Sequence, residues 1–245
     1  MKKNKNILIT GSSRGIGLSI ATTLNHCGYN VFITGRDENR LKKAKEDYGF
    51  CDYFVYDLTK KDAVEELINE LEKKHKKVDV LINNAGDYVY NQIETTTNEE
   101  IERIITLNTK VPFLLTKRVV PNMKKNEWGR IINIGSISGA VGEGNASLYS
   151  MTKSSLIGFS KALALELAEH KITVNTINPG WVDTTLIDND CLKEDFSKEE
   201  IIEMIPQRRF VHPEEVANLC KYLISEEAKG ITGQSINLCA GLSIG

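Results

Sequence analysis

Tyr149 and Lys153 are the residues whose types and spacing best suit acid-base chemistry. They lie four positions apart at the start of a predicted helix, so the phenol and the ammonium share one helix face. A nearby cation favours the phenolate and lowers the pKa of a tyrosine from about 10 toward working pH, as a general acid-base catalyst requires. Tyr56 and Lys60 have the same spacing, but they follow a predicted strand without a helix. We therefore expect catalysis from Tyr149 rather than Tyr56.

A serine is the second candidate, because it follows the predicted strand that precedes Tyr149. The apolar run 130–134 ends in Gly135 and Ser136, with Ser138 as a nearby rival. In open α/β sheets the ligand sites lie outside the carboxyl ends of the strands. A hydroxyl there can hydrogen-bond a substrate oxygen on which charge develops.

A glycine-rich turn precedes the first predicted helix. Residues 10–17 read TGSSRGIG and connect the first predicted strand to an apolar helical pattern. The spacing is Gly-x-x-x-Gly-x-Gly, which differs from the Gly-x-Gly-x-x-Gly of the common dinucleotide fingerprint. Glycines allow the backbone to approach a pyrophosphate, and a helix N-terminus offers unpaired N–H groups and partial positive charge. The turn therefore predicts a dinucleotide-binding site.

The residues after the second predicted strand distinguish two dinucleotides. An acid there holds the ribose hydroxyls of NAD, whereas an arginine accommodates the 2′-phosphate of NADP. Here Gly35 is followed by Arg36, and Arg14 lies within the glycine-rich turn. The two cations favour NADP(H), while Asp37 leaves NAD(H) open as the alternative.

Strand-like and helix-like patterns alternate along the whole chain. Several short runs are apolar throughout, as expected when helices cover both faces of a parallel sheet. We therefore predict a single α/β domain over residues 1–245, a doubly wound, Rossmann-like parallel sheet with helices on both faces. The polar segment 183–211 interrupts the alternation and predicts a substrate lid. The predicted strands are 7–10, 31–34, 53–56, 80–82, 130–134, 172–177 and 235–238, and the predicted helices are 16–25, 38–47, 61–74, 98–124, 150–169 and 213–224.

The totals exclude several function classes. The 245 residues carry a formal net charge of -2, which gives no sign of a nucleic-acid-binding protein. No apolar run reaches membrane-spanning length, and the basic residues 1–6 lead directly into a predicted strand without a secretory signal, so we expect a cytoplasmic protein. The five cysteines are scattered, form no Cys-x-x-Cys pair and lie apart from the four histidines, so we expect neither disulfides nor a metal site.

Taken together, these motifs resemble the short-chain dehydrogenase/reductase family over essentially the whole chain. The turn at 10–17 matches its phosphate loop, residues 83–86 match its Asn-Asn-Ala-Gly after the fourth strand, and residues 178–184 match its Pro-Gly segment along the nicotinamide. The spacing of the family's serine favours Ser136 over Ser138. The catalytic tetrad of the family is matched in order and spacing by Asn108, Ser136, Tyr149 and Lys153.

The resemblance implies a role for each of these residues. Tyr149 would protonate the carbonyl oxygen during reduction and deprotonate the alcohol in reverse, while Ser136 holds that oxygen. Lys153 would bind the nicotinamide ribose and depress the pKa of Tyr149, and Asn108 would fix a water that links Lys153 to a proton relay. Asp57 and Leu58 would flank the adenine, and Thr184 the carboxamide. The implied cofactor-binding residues are Gly11, Ser13, Arg14, Gly15, Ile16, Gly17, Arg36, Asp57, Leu58, Asn84, Ala85, Gly86, Tyr149, Lys153, Pro179, Gly180, Val182 and Thr184.

Within the family the chain most resembles bacterial 3-oxoacyl-acyl-carrier-protein reductases and polyketide ketoreductases. The likeness rests on TGSSRGIG, on GRIIN at 129–133 and on ITVN at 172–175. It implies reduction of a 3-oxoacyl thioester to a secondary alcohol. It also implies docking of an acidic acyl carrier protein through two arginines. Arg130 stands at one of these places, but His170 and Lys171, with Glu169 beside them, occupy the other, so carrier docking stays open.

Two predicted helices carry more apolar surface than one sheet face needs. The stretches 98–124 and 150–169 are apolar on several sides. The excess predicts a second buried face against a partner subunit, with burial under the lid or the C-terminal tail as the alternative. The resemblance implies dimers or tetramers built on these helices, and we expect a homotetramer.

Two other functions stay open. One is a secondary-alcohol, sugar or polyol dehydrogenase of the same family. The other, from a different class, is a non-catalytic regulator that senses NADP(H) without turnover. The complete set of Ser136, Tyr149 and Lys153 argues against a sensor, because a sensor has no need of them.

Overall fold

Short apolar runs form the strands of one parallel sheet. The computed structural model describes residues 5–184 and 197–243. The strands are β1 (Asn6–Ile9), β2 (Asn30–Gly35), β3 (Asp52–Val55), β4 (Val80–Asn83), β5 (Gly129–Ile134), β6 (Ile172–Pro179) and β7 (Ser235–Leu238). Within these residues the strand order is β3-β2-β1-β4-β5-β6-β7, and all neighbouring pairs are parallel. The doubly wound, Rossmann-like fold predicted from the sequence is confirmed.

The amphipathic stretches between the strands form helices. They are α1 (Gly15–His26), α2 (Glu38–Tyr48), α3 (Ala63–His75), α4 (Asn98–Ile105), α5 (Val111–Lys125), α6 (Ile137–Val141), α7 (Ser147–Leu167), α8 (Lys198–Met204) and α9 (Pro213–Leu223). Among the described helices, none combines the length and the apolar character needed to cross a membrane.

Side chains of β1 alternate between two hydrophobic cores, one on each face of the sheet. Ile7 and Ile9 pack in the same core as Ile20 of α1. Leu8, between them, packs in the opposite core with Leu67 of α3. All five side chains have no exposed surface. Burial on both faces explains why the run is apolar throughout instead of alternating with polar residues.

The strand order reverses between β1 and β4. From β1 the chain builds outward through β2 and β3, and it then crosses to β4 on the other side of β1. In doubly wound sheets such a point leaves a crevice outside the carboxyl ends of the central strands, where ligands bind. The glycine-rich turn after β1 and the residues after β4 border this crevice.

A buried row of polar side chains ties α7 to the centre of the sheet. The amide of Asn83 on β4 donates to Asn133 Oδ1 on β5 at 2.8 Å, and the amide of Asn133 donates to Ser160 Oγ on α7 at 2.8 Å. Ser160 Oγ is hydrogen-bonded to Thr176 Oγ1 on β6, 2.7 Å away. Because a buried polar group without a partner costs about 1–3 kcal/mol, this row fixes the position of α7, which carries Tyr149.

The predicted helix over residues 98–124 is interrupted. Its first part, α4, begins at a capping box in which Thr97 Oγ1 accepts from Glu100 N, while the Glu100 carboxylate accepts from Thr97 N. A π-helical turn over Thr106–Lys110 then separates α4 from α5. Such turns recur at functional sites, and this one contains the predicted catalytic residue Asn108, which is buried.

Arg130 lies inside the protein rather than on its surface. Its side chain is 2% exposed and its guanidinium carbon lies 4.4 Å from the centre of the Trp128 ring. One guanidinium nitrogen donates to the carbonyl oxygens of Gly129 and Lys171, at 2.8 and 3.1 Å, and the other lies 3.3 Å from Glu226. The guanidinium of Arg130 is thus engaged within the protein, and docking of a carrier protein at this position stays a prediction.

The predicted lid, 183–211, is described only in part, because residues 185–196 lie outside the described residues. At its two ends Val182 and Val211 form an isolated parallel bridge. Asp183 N donates to Val211 O at 2.9 Å, and Val211 N donates to Trp181 O at 2.8 Å. Both ends of the segment are thus joined just after β6, beside the crevice, and the lid itself stays a prediction.

Candidate active site

The predicted cofactor residues gather at one edge of the sheet. The glycine-rich turn follows β1, Arg36 follows β2, Asp57 follows β3, residues 84–86 follow β4 and residues 179–184 lie at and after the end of β6. Because all the strands are parallel, these segments share the carboxyl edge. The turn after β1 and the segment after β6 lie close to each other across the crevice. A Cβ atom added at Gly15 would lie only 3.7 Å from Thr184 Cγ2.

The glycine-rich turn has a backbone that only glycine tolerates well. Gly11 and Gly15 have φ angles of 62° and 56°, in the left-handed region. A Cβ atom at Gly17 would lie 2.4 Å from the Gly11 carbonyl oxygen, so a larger residue there would push α1 away from the turn. Arg14 occupies the N-cap position of α1 without a side-chain cap. The N–H groups at the start of α1 therefore suit a pyrophosphate.

Asn84 and Ala85 hold the turn from the side of β4. Asn84 Nδ2 donates to the carbonyl oxygens of Thr10 and Gly11, at 2.9 and 3.0 Å. Thr10 Oγ1 in turn accepts from the backbone N–H groups of Asn84 and Ala85, at 3.0 and 2.9 Å. The amide of Asn84 is thus used within the protein, where it holds the turn that is predicted to bind the cofactor.

Arg36 and Asp37 have different tasks at the tip of β2. Asp37 is the N-cap of α2, where its Oδ1 accepts from Arg40 N at 3.0 Å and its Oδ2 lies 3.1 Å from Arg40 Nε. Arg36 is exposed. Burial alone would raise the pKa of Asp57, but hydrogen bonds from Thr59 and the charge of Arg36 lower it. Arg36 and Asp57 therefore lie close together at this edge, while Asp37 is engaged in capping.

Several predicted cofactor residues use their side chains for packing. Leu58 is 6% exposed and belongs to the core on the face of α3. Val182 is 7% exposed, and Ile16 packs against the same core on the face of α1. A Cβ atom at Gly180 would lie 2.9 Å from Cys239 Cα, so this glycine permits a close backbone crossing. These residues can border the crevice mainly through their backbone.

The hydroxyl groups of Tyr149 and Ser136 form the centre of the site. The hydroxyl of Ser136, the N-cap of α6, lies close enough to Tyr149, in the first turn of α7, to lower the pKa of its phenol. Ser136 Oγ donates to Ser138 Oγ at 3.1 Å, and Ser138 Oγ donates to Glu143 Oε2 at 2.6 Å. Ser136 is thus the serine that contacts Tyr149, while the proton of its rival Ser138 is directed to a carboxylate.

Lys153 lies buried next to Tyr149. Its Nζ is 5.7 Å from the centre of the Tyr149 ring and donates to the carbonyl oxygen of Ile134 at 2.9 Å. Burial lowers the pKa of Lys153 to about 8. Burial also raises the pKa of Tyr149 to about 12, which the hydrogen bond with Ser136 opposes and the charge of Glu143 reinforces. The sequence predicts that Lys153 lowers the pKa of Tyr149, but in the folded protein this pKa is raised. Desolvation of the phenolate is the dominant effect.

Asn108 lies beside Lys153, across Gly86. A Cβ atom at Gly86 would lie 3.2 Å from Lys153 Nζ and 3.3 Å from Asn108 Oδ1. Asn108 Oδ1 accepts from Asp87 N at 2.9 Å, and its Nδ2 donates to Asp87 O at 2.9 Å and to Thr152 Oγ1 at 3.1 Å. The four residues predicted to be catalytic thus lie together, and Asn108 joins the loop after β4 to α7. Its role in fixing a water stays a prediction.

Glu143 and Tyr88 also lie beside the residues predicted to be catalytic, although neither is predicted from the sequence. Tyr88 OH donates to Glu143 Oε1 at 2.7 Å. The Tyr88 ring packs edge-on against that of Tyr149, with ring centres 4.8 Å apart and planes at 79°. Glu143 lies in the turn between α6 and α7, and Tyr88 in the loop after β4. Their nearness to the Asn-Asn-Ala-Gly motif and to Tyr149 was the available signal, but their contact depends on the folded arrangement.

Known proteins resemble this chain over nearly its whole length. A family profile described as Enoyl-(Acyl carrier protein) reductase matches residues 11–243. The chain is 36% identical over 249 residues to the uncharacterized oxidoreductase YxjF of Bacillus subtilis, with 96% of each chain covered. It is 37% identical to the 3-oxoacyl-acyl-carrier-protein reductase of Buchnera aphidicola and 35% identical to that of Escherichia coli, with 98% of each chain covered in both cases.

A solved structure has the same fold. The crystal structure of a variant of actinorhodin polyketide ketoreductase with NADPH superimposes with a TM-score of 0.94 at 33% sequence identity, covering 100% of this chain and 99% of that one. The resemblance inferred from the sequence motifs is thereby confirmed. The chain is an enzyme that belongs to the short-chain dehydrogenase/reductase family of oxidoreductases.

Proposed function

We propose that the protein is an NADP(H)-dependent carbonyl reductase whose substrates are 3-oxoacyl thioesters. The observation that carries the proposal is that Tyr149, Ser136 and Lys153 lie together at the carboxyl edge of the sheet, with Lys153 Nζ 5.7 Å from the centre of the Tyr149 ring. Two hydroxyl groups that lie close together can both donate hydrogen bonds to one substrate oxygen. Full-length relatives named 3-oxoacyl-acyl-carrier-protein reductases support this class of substrate.

In the proposed reaction the substrate carbonyl oxygen binds between the hydroxyl groups of Tyr149 and Ser136. Ser136 turns its proton from Ser138 toward this oxygen, and Tyr149 transfers its own proton to it as negative charge develops. In the reverse direction Tyr149 accepts the proton of the alcohol. Because burial raises the pKa of Tyr149 to about 12, the phenol carries its proton at neutral pH, which suits the acid needed for reduction.

The protein offers a matching set of groups for a dinucleotide, which supplies the hydride when bound. The glycine-rich turn and the start of α1 would hold the pyrophosphate, and Lys153 would bind the nicotinamide ribose. Arg14 and Arg36 would bind a 2′-phosphate. Asp37 caps α2 through Arg40 N, so its carboxylate is engaged where an NAD-binding acid would face the ribose. These features support NADP(H) over NAD(H).

The surface expected to dock a carrier protein offers little to an acidic partner. His170 Nδ1 lies 3.0 Å from a carboxylate oxygen of Glu127, and His170 Nε2 lies 3.4 Å from one of Glu169. Arg130 is buried below. We therefore propose that acyl thioesters without a carrier protein, such as coenzyme A thioesters, are substrates.

Exposed apolar side chains on α5 and α7 support assembly with further copies of the chain. Phe113 is 53% exposed, and its ring centre lies 5.5 Å from that of Phe159 on α7. Leu165, further along α7, is 85% exposed. Large apolar side chains at this exposure are stabilised when a partner covers them. We propose that these two helices form the interface of a homotetramer.

Tyr149→Phe removes the transferable proton and keeps the ring. We expect kcat for acetoacetyl-CoA reduction to fall at least about a hundredfold, while NADPH affinity stays within about threefold. NADPH oxidation and fluorescence titration measure the two quantities. Tyr56→Phe is the matched control, because the Tyr56 hydroxyl donates to Glu70 at 2.9 Å and not to the residues around Tyr149, so kcat should be retained.

A substrate panel tests the substrate class with the same assay. We expect a higher kcat/KM with acetoacetyl-CoA than with a diketone or any sugar or polyol, the last two assayed in the oxidative direction. Full activity in Tyr149→Phe would refute the assignment of Tyr149 as the catalytic acid-base. Faster oxidation of a polyol than reduction of acetoacetyl-CoA would show that polyols, and not thioesters, are the substrate class.

Arg36→Ala removes the cation proposed to bind the 2′-phosphate. We expect kcat/KM for NADPH to fall at least about tenfold, as for the loss of a charge-assisted hydrogen bond, with kcat/KM for NADH unchanged. Arg40→Ala, on the first turn of α2, is the control and should leave both values near those of the unchanged protein. Equal or better efficiency with NADH in the unchanged protein would contradict the cofactor proposal.

Lys153→Met should abolish activity and stabilise the fold. Burial lowers the folded-state pKa of Lys153 to about 8, below its usual 10.5, so the charged form destabilises the native state. After subtraction of the lost hydrogen bond to Ile134 O, we expect the free energy of unfolding of Lys153→Met to exceed that of the unchanged protein by about 2 kcal/mol at pH 7. Between pH 8 and 10.5 Lys153 holds its proton in the unfolded chain but loses it in the folded protein. The unchanged protein therefore gains stability as the pH rises through this window. Above the window the variant is no longer more stable than the unchanged protein.

Urea unfolding across this pH range measures the effect on stability. Lys161→Met, an exposed lysine on the same helix, is the control and should change the unfolding free energy by less than about 0.5 kcal/mol. A Lys153→Met protein that is less stable at pH 7 than the unchanged protein would show that the buried ammonium is net stabilising.

Multi-angle light scattering at micromolar concentration should give about four times the mass of one chain. Phe113→Asp places a charge on the proposed interface and should yield smaller species, because burial of an unpaired carboxylate is unfavourable. A mass of one chain for the unchanged protein would refute the assembly.

A further inference from the structure

Glu143 brings a negative charge next to both catalytic hydroxyl groups. Its Oε2 accepts from Ser138 Oγ at 2.6 Å, and Ser138 Oγ accepts from Ser136 Oγ at 3.1 Å. Its Oε1 accepts from Tyr88 OH at 2.7 Å, and the ring of Tyr88 contacts that of Tyr149. One side chain therefore separates the carboxylate from each of the two catalytic residues.

The partners of Glu143 do not neutralise its charge. Ser138 and Tyr88 contribute hydroxyl groups, which are uncharged. The nearby acid Asp87 is different, because it forms an ion pair with Arg103, and no ion pair of Glu143 occurs among the described residues. The Lys153 ammonium donates to the carbonyl oxygen of Ile134 at the end of β5.

The charge of Glu143 acts on the reacting oxygen. Burial is the main reason that the pKa of Tyr149 is raised to about 12, and the charge of Glu143 raises it as well. A field that disfavours a phenolate at this point also disfavours other anions bound there, because both are negative charges in the same partly buried surroundings.

We propose that Glu143 is a specificity-determining residue that discriminates against 3-oxo acids with a free carboxylate and admits their neutral esters and thioesters. The inference rests on the proposed function, since it places the substrate carbonyl oxygen at Ser136 and Tyr149. In a 3-oxo acid a single methylene group separates the carbonyl carbon from the acid group. A free carboxylate therefore cannot leave the neighbourhood of Glu143 while the carbonyl oxygen is bound, whereas an ester of the same skeleton carries no charge to repel.

The test compares ethyl acetoacetate with acetoacetate in the full-length protein with NADPH. The unchanged enzyme should reduce the ester with the higher kcat/KM. Glu143→Gln removes the charge, keeps the size and keeps an oxygen that accepts hydrogen bonds. We expect the ester-to-acid ratio of kcat/KM to narrow at least about tenfold, equal to 1.4 kcal/mol, mainly through a rise for the acid.

Two further variants separate charge from structure. Tyr88→Phe removes one hydrogen bond to Glu143 and leaves the charge, so the ratio should stay within about threefold of that of the unchanged enzyme. Glu166→Gln removes an exposed carboxylate from the same helix that carries Tyr149 and should leave the ratio unchanged. If Tyr88→Phe narrows the ratio as much as Glu143→Gln does, or if Glu143→Gln leaves it unchanged, the proposal is overturned.

The outcome for Glu143 is distinguishable from failure of the proposed function. Turnover of acetoacetyl-CoA and of the ester, combined with an unchanged ratio in Glu143→Gln, sinks only the inference about Glu143. Absence of turnover with every 3-oxo compound sinks the proposed substrate class. The charge comparison is then made with methyl pyruvate and pyruvate, a pair in which the acid group adjoins the carbonyl carbon and which differs by the same charge, and the same two results decide it.

Discussion

The closeness of Tyr149 to Ser136 is the constraint on which the proposed chemistry depends, and neither residue is placed by its own segment alone. Ser136 is set by the end of β5 and caps α6. Tyr149 is set by α7, whose Ser160 is anchored to Asn133 on β5. The two hydroxyl groups meet because the same strand holds both partners. A shift of α7 along the sheet would break the polar row, and the same shift would move Tyr149 away from Ser136.

The site is assembled at an energetic disadvantage that the rest of the fold offsets. Lys153 is 5% exposed and its pKa is lowered to about 8 by burial, while burial raises that of Tyr149 to about 12. Perturbed titrating groups in a crevice are typical of functional sites. The two apolar cores on either face of the sheet supply the stability that permits these groups to remain buried.

The sequence predicts the fold well, and it picks out residues that the structure brings together, because both depend on local patterns. Apolar runs such as 80–82 and 130–134 identify buried strands, and Ser136, Tyr149 and Lys153 are found from their spacing around predicted elements. Glycines 11 and 15 are found because a strand-turn-helix connection requires left-handed backbone. Each of these signals is complete within a short stretch of the chain.

The features that sequence could not predict depend on contacts between distant segments. The π-helical turn around Asn108 leaves the apolar periodicity of residues 98–124 intact, so nothing in the pattern reveals it. Glu143 meets Tyr88 from 55 positions away, through two loops whose paths depend on the finished sheet. Arginine is usually a surface residue, so the sequence gives no sign that Arg130 is buried. Its interior position is visible only from the carbonyl oxygens and the Trp128 ring around it.

Asp37 shows how a structural duty can restrict the routes by which such an enzyme changes over evolutionary time. Its carboxylate terminates α2, and loss of such a cap costs about 1 kcal/mol. Position 36 carries no such duty in the helix, so replacements there are tolerated by the scaffold while they alter the charge next to the crevice. A change of cofactor preference is therefore easier to reach by replacing the arginine than by replacing the neighbouring aspartate.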